Sequence, residues 1–146
     1  MLELLEPLHP EQVVHWWGPK IFTAPTVEID FRVGGKWLYC MQSDQGEDAW
    51  KKGIWCTGVY KEIVPFEKIV TTDCFADENG NVVPASYYGM DGEFDREMII
   101  TVTFEEVEGG KTKMTLTHSG LPAGEHTQGA HVGWNESLDK LAECLK

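Results

Sequence analysis

The chain has 146 residues, enough for one domain with a real core or an enclosed cavity. It carries 24 acidic against 12 basic side chains, a formal charge of −12, which opposes phosphate backbones and anionic membrane surfaces; neither a nucleic-acid nor a membrane partner is expected. Apolar residues make up 42%, an ordinary globular share, but six tryptophans are many for this length and suit a core or a pocket wall.

A short helix is expected first. Pro10 suits a first turn, Glu11 the positive end of the helix dipole, Val13, Val14 and Trp17 give an apolar side, and Gly18-Pro19 ends it. The preceding MLELLEPL reads as a single helical turn broken by Pro7.

Strands follow. Val27, Ile29, Phe31 and Val33 alternate with polar residues, as in a half-buried strand, and Gly34-Gly35 signals a hairpin into a strand over 36–42. Strands over 53–63 and 67–75 are separated by the Val64-Pro65-Phe66 turn, and a loop rich in Gly, Asn and Asp runs over 76–95. Strands over 96–107 and 111–118 meet at Glu108-Gly109-Gly110. In that pair Met98, Ile100, Val102 and Phe104 share one face, as do Thr112, Met114, Leu116 and His118, while threonines and charges fill the other.

The last element is a helix over 128–145, about 27 Å long at ~1.5 Å per residue. Trp134, Leu138, Leu141 and Leu145 form its apolar stripe, and Glu136 and Lys140 an i,i+4 pair on the opposite side. Six strands, one short helix before them and one long helix after give an α+β fold, a sheet covered on one face. No repeat or low-complexity segment divides it, so residues 1–146 are read as one domain.

Cys40, Cys56, Cys74 and Cys144 form no C-x-x-C pair and match no common zinc spacing; they are read as reduced thiols of a cytoplasmic protein. No apolar run reaches spanning length, and the N-terminus lacks the basic-then-apolar pattern of a secretion signal. His118, His126 and His131 lack the spacing and carboxylate partner of a metal centre, and no nucleophile elbow, phosphate loop or dinucleotide fingerprint appears. Neither metal nor cofactor is expected. Asp30 and Arg32 share a polar face and are expected to pair with each other's cross-strand neighbours.

Several local patterns recur in a particular order: Trp16-Trp17-Gly18-Pro19, Asp30-x-Arg32-x-Gly34-Gly35, Gly58-x-Tyr60-x-Glu62-Ile63-x-Pro65, Thr101-Val102-Thr103-Phe104-Glu105, and Gly133-Trp134 opening the final helix. Over nearly the whole chain this set resembles the bacterial Hsp-90 ATPase activator homologue group of the START-like (SRPBCC) superfamily. The resemblance implies a helix-grip fold: a curved antiparallel sheet of about six strands wrapped on a long C-terminal helix, with a ligand cavity between them. Family members usually begin with a strand and a longer helix before the Pro-Glu turn. Here the chain starts within the region corresponding to that helix, so the family's first strand is expected to be missing. A homodimer, or the N-terminal leucines, would then cover the exposed sheet edge.

On that geometry Trp37, Tyr39, Trp55, Tyr60, Phe75, Met98, Phe104, Met114 and Trp134, with Leu138 and His118, are the candidate ligand-binding residues. Trp55 and Tyr60 lie on a strand with apolar residues on both sides, so their faces are not separated by pattern. Each ring alone reads equally as core filling; as a set they favour a pocket. Gly129 and Gly133 inside a helix cost about 1 kcal/mol each relative to alanine, which close packing or ligand room would offset. His118, inward by strand parity, is either a hydrogen-bonded structural histidine or the group that orients a ligand. The leading expectation is a non-enzymatic carrier of a small hydrophobic or aromatic molecule. The alternatives are a cyclase- or hydrolase-like enzyme using the same cavity, with His118 beside a carboxylate or tyrosine, and a chaperone-associated interaction domain.

Overall fold

The computed structural model describes residues 22–45, 48–65, 67–89, 97–120 and 125–144, with the side chains of 48–49, 125–129 and 144 left aside. The expected N-terminal helix and leucine turn, Phe66 and Leu145 lie outside the described residues.

Six strands form one sheet in sequence order, every neighbouring pair antiparallel: β1 (Thr23–Ile29), β2 (Lys36–Gln42), β3 (Ile54–Val64), β4 (Lys68–Ala76), β5 (Met98–Val107) and β6 (Lys111–Ser119). Two short helical pieces interrupt the meander, α1 (Asp48–Lys52) and a 3-10 turn over Ala85–Tyr88, neither expected from pattern. The long helix α2 (Glu125–Cys144) follows; its 20 residues reach about 30 Å, enough to cross the sheet. The sheet curls, helped by register breaks between Thr23 and Thr26 in β1 and between Tyr60 and Glu62 in β3, since an extra residue bends its strand. This is the α+β helix-grip architecture.

Cross-strand partners point to the same side of a sheet, so the register separates the two faces. The inner face carries Ile29, Trp37 and Gly58 in one row, Tyr39, Cys56 and Phe75 in the next, and Thr71, Ile100 and His118 across the far strands. Trp37, Tyr39, Tyr60 and Ile69 are buried there as one cluster, and Leu141 of α2 packs onto it. The apolar stripe of α2 therefore rests on the inner face, as its spacing of Trp134, Leu138 and Leu141 predicts. Ser137 interrupts that stripe and is only 2% exposed.

The first strand departs from expectation. It runs over Thr23–Ile29, not on to Val33, which is 62% exposed. Asp30 N–H donates to the Lys36 carbonyl and Gly35 N–H to the Arg32 carbonyl, so the chain already reverses over residues 30–35. Gly34 adopts φ +85°, and a Cβ on Gly35 would stand 2.0 Å from the Asp30 carbonyl oxygen; the Gly-Gly pair is the turn itself. Within it Arg32 pairs directly with Asp30, Nε to Oδ2 at 2.8 Å, instead of with cross-strand neighbours. Both side chains are more than half exposed, so the pair shapes the turn and adds little stability.

Gly58 has a different reason. A Cβ there would meet the Thr72 carbonyl at 2.0 Å and the Trp37 indole at 2.6 Å. The missing side chain lets Trp37 lie across β3 and donate from Nε1 to Thr71 Oγ1 at 2.6 Å on the next strand.

Among the described residues β1 and β6 are the sheet edges. The N-terminal leucines expected to cover an edge are outside them. No helix among the described residues is long and apolar enough to cross a membrane.

Candidate functional site

Most of the expected ligand-facing residues share the inner face. Trp37, Tyr39, Tyr60 and Met98 are buried there; Phe75, Phe104, Met114, His118 and, on α2, Trp134 and Leu138 are half-buried. Trp55 is the exception. It pairs with Cys40 and Ala76, one residue out of step with Cys56, so the register sends it to the outer face. A strand with apolar residues on both sides gives no parity signal, and here Trp55 and Cys56 are both half-buried, one on each face.

Two hydrogen-bonded groups stand on the inner face. The first joins Tyr39 and Tyr60, whose rings sit in the buried cluster with Trp37 stacked on Tyr39 at 4.6 Å. The Tyr39 hydroxyl donates to that of Tyr60. Burial first, then Tyr60 and the nearby Asp73 charge, push the Tyr39 phenol well above its usual range; burial takes Tyr60 up to about 12, the bond from Tyr39 partly opposing it.

The second group is Asp73, His118 and Trp134. Asp73 and Met98 face each other across β4 and β5, and His118 pairs with Ile100 across β5 and β6, which brings Asp73 and His118 to one row. His118 Nε2 lies 3.0 Å from Asp73 Oδ2, with side chains only 11% and 10% exposed. From the helix, Trp134 Nε1 donates to His118 Nδ1 at 3.0 Å, the two rings edge to face. An indole nitrogen can only donate, so Nδ1 must be the acceptor and the ring proton sits on Nε2, turned towards Asp73. The contact has ion-pair distance but not hydrogen-bond alignment, and Nε2 remains a buried donor without an aligned acceptor.

Asp73 was not singled out from sequence: Ile69, Thr71, Asp73 and Phe75 share one strand parity, but β4 is buried on both parities, and only its pairing shows this one to face α2. Tyr88 was missed too. Its hydroxyl accepts from Trp55 N–H at 3.0 Å and donates to the Ala76 carbonyl, tying the ends of β3 and β4, while its ring leans on Phe75. Burial pushes that phenol up to about 12.

These three phenols set a testable pH dependence. Each is raised from 10, so the folded state keeps protons the unfolded chain releases; their contribution is intact below about pH 10, and that of Tyr60 and Tyr88 is lost as pH climbs through about 12. In an alkaline titration their phenolate absorbance is expected to appear together with loss of the folded circular dichroism. Ionisation of all four tyrosines near pH 10 in a still-folded chain would contradict the packing described.

Cys40, Cys56 and Cys74 are free thiols. Burial pushes all three up, with Asp73 adding to Cys56 and Cys74, so they are poor nucleophiles. His131 is exposed, and the His126 side chain lies outside the described residues. Among the described residues no cluster has the makings of a metal site. Lys140 Nζ reaches the Phe22 carbonyl at 2.9 Å, tying α2 to the start of β1; burial pulls its ammonium below the usual lysine range, with Glu136 partly opposing. An outer-face cleft of about 390 Å³ lies between Glu28, Asp30, Lys36, Leu38 and Asn79, on the side of the sheet away from His118.

Comparison with known proteins agrees with this geometry. The sequence pattern of the "Activator of Hsp90 ATPase homolog 1-like protein" family matches residues 8–146. A crystal structure of a Chromobacterium violaceum protein is 26% identical, with a TM-score of 0.74 over 98% of this chain and 86% of that one. A solution structure of an Arthrobacter aurescens protein is also 26% identical, with a TM-score of 0.70 over 97% and 78% of the two chains. The AHSA1 protein from Silicibacter pomeroyi, at 21% identity and TM-score 0.68 over 98% and 88%, shares the fold. No protein with a curated description matches. An antiparallel meander gripping its C-terminal helix, together with a family match over all but the first seven residues, places the chain in the activator of Hsp90 ATPase homolog 1-like family, within the START-like fold.

Proposed function

We propose that the protein binds and carries a small hydrophobic or aromatic molecule between the inner sheet face and α2. The observation that carries this reading is the company kept by His118. A polar chain, Asp73–His118–Trp134, is set into a face otherwise built of apolar and aromatic side chains, and Phe75, Phe104, Met114 and Leu138 around that face remain half-buried. Apolar walls with a few converging polar groups are the usual composition of ligand sites. Burial would supply the affinity, about 0.8 kcal/mol per CH₂ removed from water, and the polar chain would fix orientation.

A thermal-shift screen of lipids, polyketide-like compounds and aromatic amines, alcohols and acids is expected to yield at least one stabiliser; a ligand at a hundred times its Kd adds ~2.7 kcal/mol. No stabiliser in such a set, with an inner face filled solid by side chains in a crystal, would refute the reading.

A second reading has one specific observation in its favour. An enzyme using this cavity needs His118 beside a carboxylate, and Asp73 stands there. An imidazole oriented by an acidic partner is a common acid–base arrangement. The role of an interaction domain on a chaperone rests on the family name alone.

A further inference from the structure

Asp73 is a carboxylate that the protein leaves incompletely answered. It is 7% exposed on the inner face, and among the described residues its polar partner is His118 alone. No lysine or arginine among them pairs with it. Across β3 stands Gly58, which brings no side chain towards it. Trp134 donates to Nδ1, so that nitrogen's lone pair is already engaged and the ring offers Asp73 only its Nε2 side. The remaining Nε2–H is not aligned on the carboxylate. The result is a buried carboxylate met by one unaligned imidazole, with the Tyr39 phenol close enough to feel its charge and the Trp134 indole on the far side of the His118 ring. Buried carboxylates are normally met by several well-aimed donors, and one met by a single unaligned imidazole nitrogen calls for an explanation.

We infer that the missing partner comes with the ligand: the site selects an apolar or aromatic molecule bearing a protonated amine, which Asp73 receives and the surrounding ring faces help to hold. An ammonium donates to a carboxylate in a charge-assisted bond, and electron-rich ring faces favour the same cation. A carboxylate head would meet the Asp73 charge in a site of low dielectric, so fatty or aromatic acids are rejected. This inference rests on the carrier reading and narrows it.

Three probes of one shape separate the possibilities: phenylbutylamine, phenylbutanol and phenylbutyrate, titrated calorimetrically against the purified chain. The amine is expected to bind about ten-fold or more tightly than the alcohol, and the acid weakest of the three. Asp73→Asn, which keeps the shape and removes the charge, is expected to bring the amine to the level of the alcohol while alcohol binding persists. Equal affinities for all three, or an amine preference surviving D73N, overturns the inference and leaves the carrier reading standing. Binding of none of them counts against both. Should D73N not fold, the order of amine and acid on the parent chain decides alone: acid equal to or tighter than amine refutes the proposal.

Discussion

Replacing Trp37 with alanine is expected to destabilise the chain by about 3–5 kcal/mol, a large part of what a domain of this size has. Trp37 is 3% exposed and does three things at once. It fills the space above Gly58, stacks on Tyr39 with centroids 4.6 Å apart, and donates to Thr71 across two strands. Thr71 Oγ1 also contacts the carbonyls of Val59 and Thr72, so losing the indole donor alone leaves the hydroxyl bonded. Trp37→Phe should therefore cost only about 1 kcal/mol, the net value of one hydrogen bond. Urea melts of the two variants make the comparison. If W37F were as damaging as W37A, the hydrogen bond would dominate, and the packing account of Gly58 would be wrong. The proposed site leans on the same ring: Trp37 stacks on Tyr39, and Tyr39 lies close enough to Asp73 to feel its charge.

The sequence made the sheet and its helix legible because their signals are periodic. Met98 to Phe104 and Met114 to His118 alternate cleanly, and the register puts each of them on the face that parity assigns. The stripe of Trp134, Leu138 and Leu141 likewise finds the sheet. What was hidden is what periodicity cannot carry. Val33 continues the alternation of β1 yet stands exposed, because the chain turns at Asp30–Gly35 and turn geometry overrides pattern. Trp55 lies on a strand apolar on both sides, where parity is silent. Asp73 and Tyr88 act through partners far away in sequence. A carboxylate in Thr-Thr-Asp-Cys-Phe looks like any solvated strand residue until β4 is paired with β5 and β6, which brings His118 beside it. The candidate site was thus half readable: the histidine by its parity, its acidic partner only from the fold.

The coupling of that pair can be measured directly. His118→Leu is expected to destabilise the chain by about 3 kcal/mol, roughly 6–12 °C in Tm, because it removes the sole polar partner that the described residues give Asp73 and leaves the carboxylate buried. The size of the side chain is nearly kept, so a cavity is not the cause. Pairing the change with Asp73→Leu should return most of the loss, since replacing both members of a buried polar pair by apolar groups is often near neutral. A double-mutant cycle gives the coupling, and a value near zero would mean that the 3.0 Å contact carries no energy. Trp134→Phe is the third corner: it keeps a ring against His118 but withdraws the N–H from Nδ1, so that nothing fixes which ring nitrogen carries the proton beside Asp73. That variant should then lose the preference for a cationic ligand without losing the fold. An amine preference that follows Asp73 and Trp134 together, in a chain whose paired leucine variant stays folded, would tie the polar pair to recognition more than to stability.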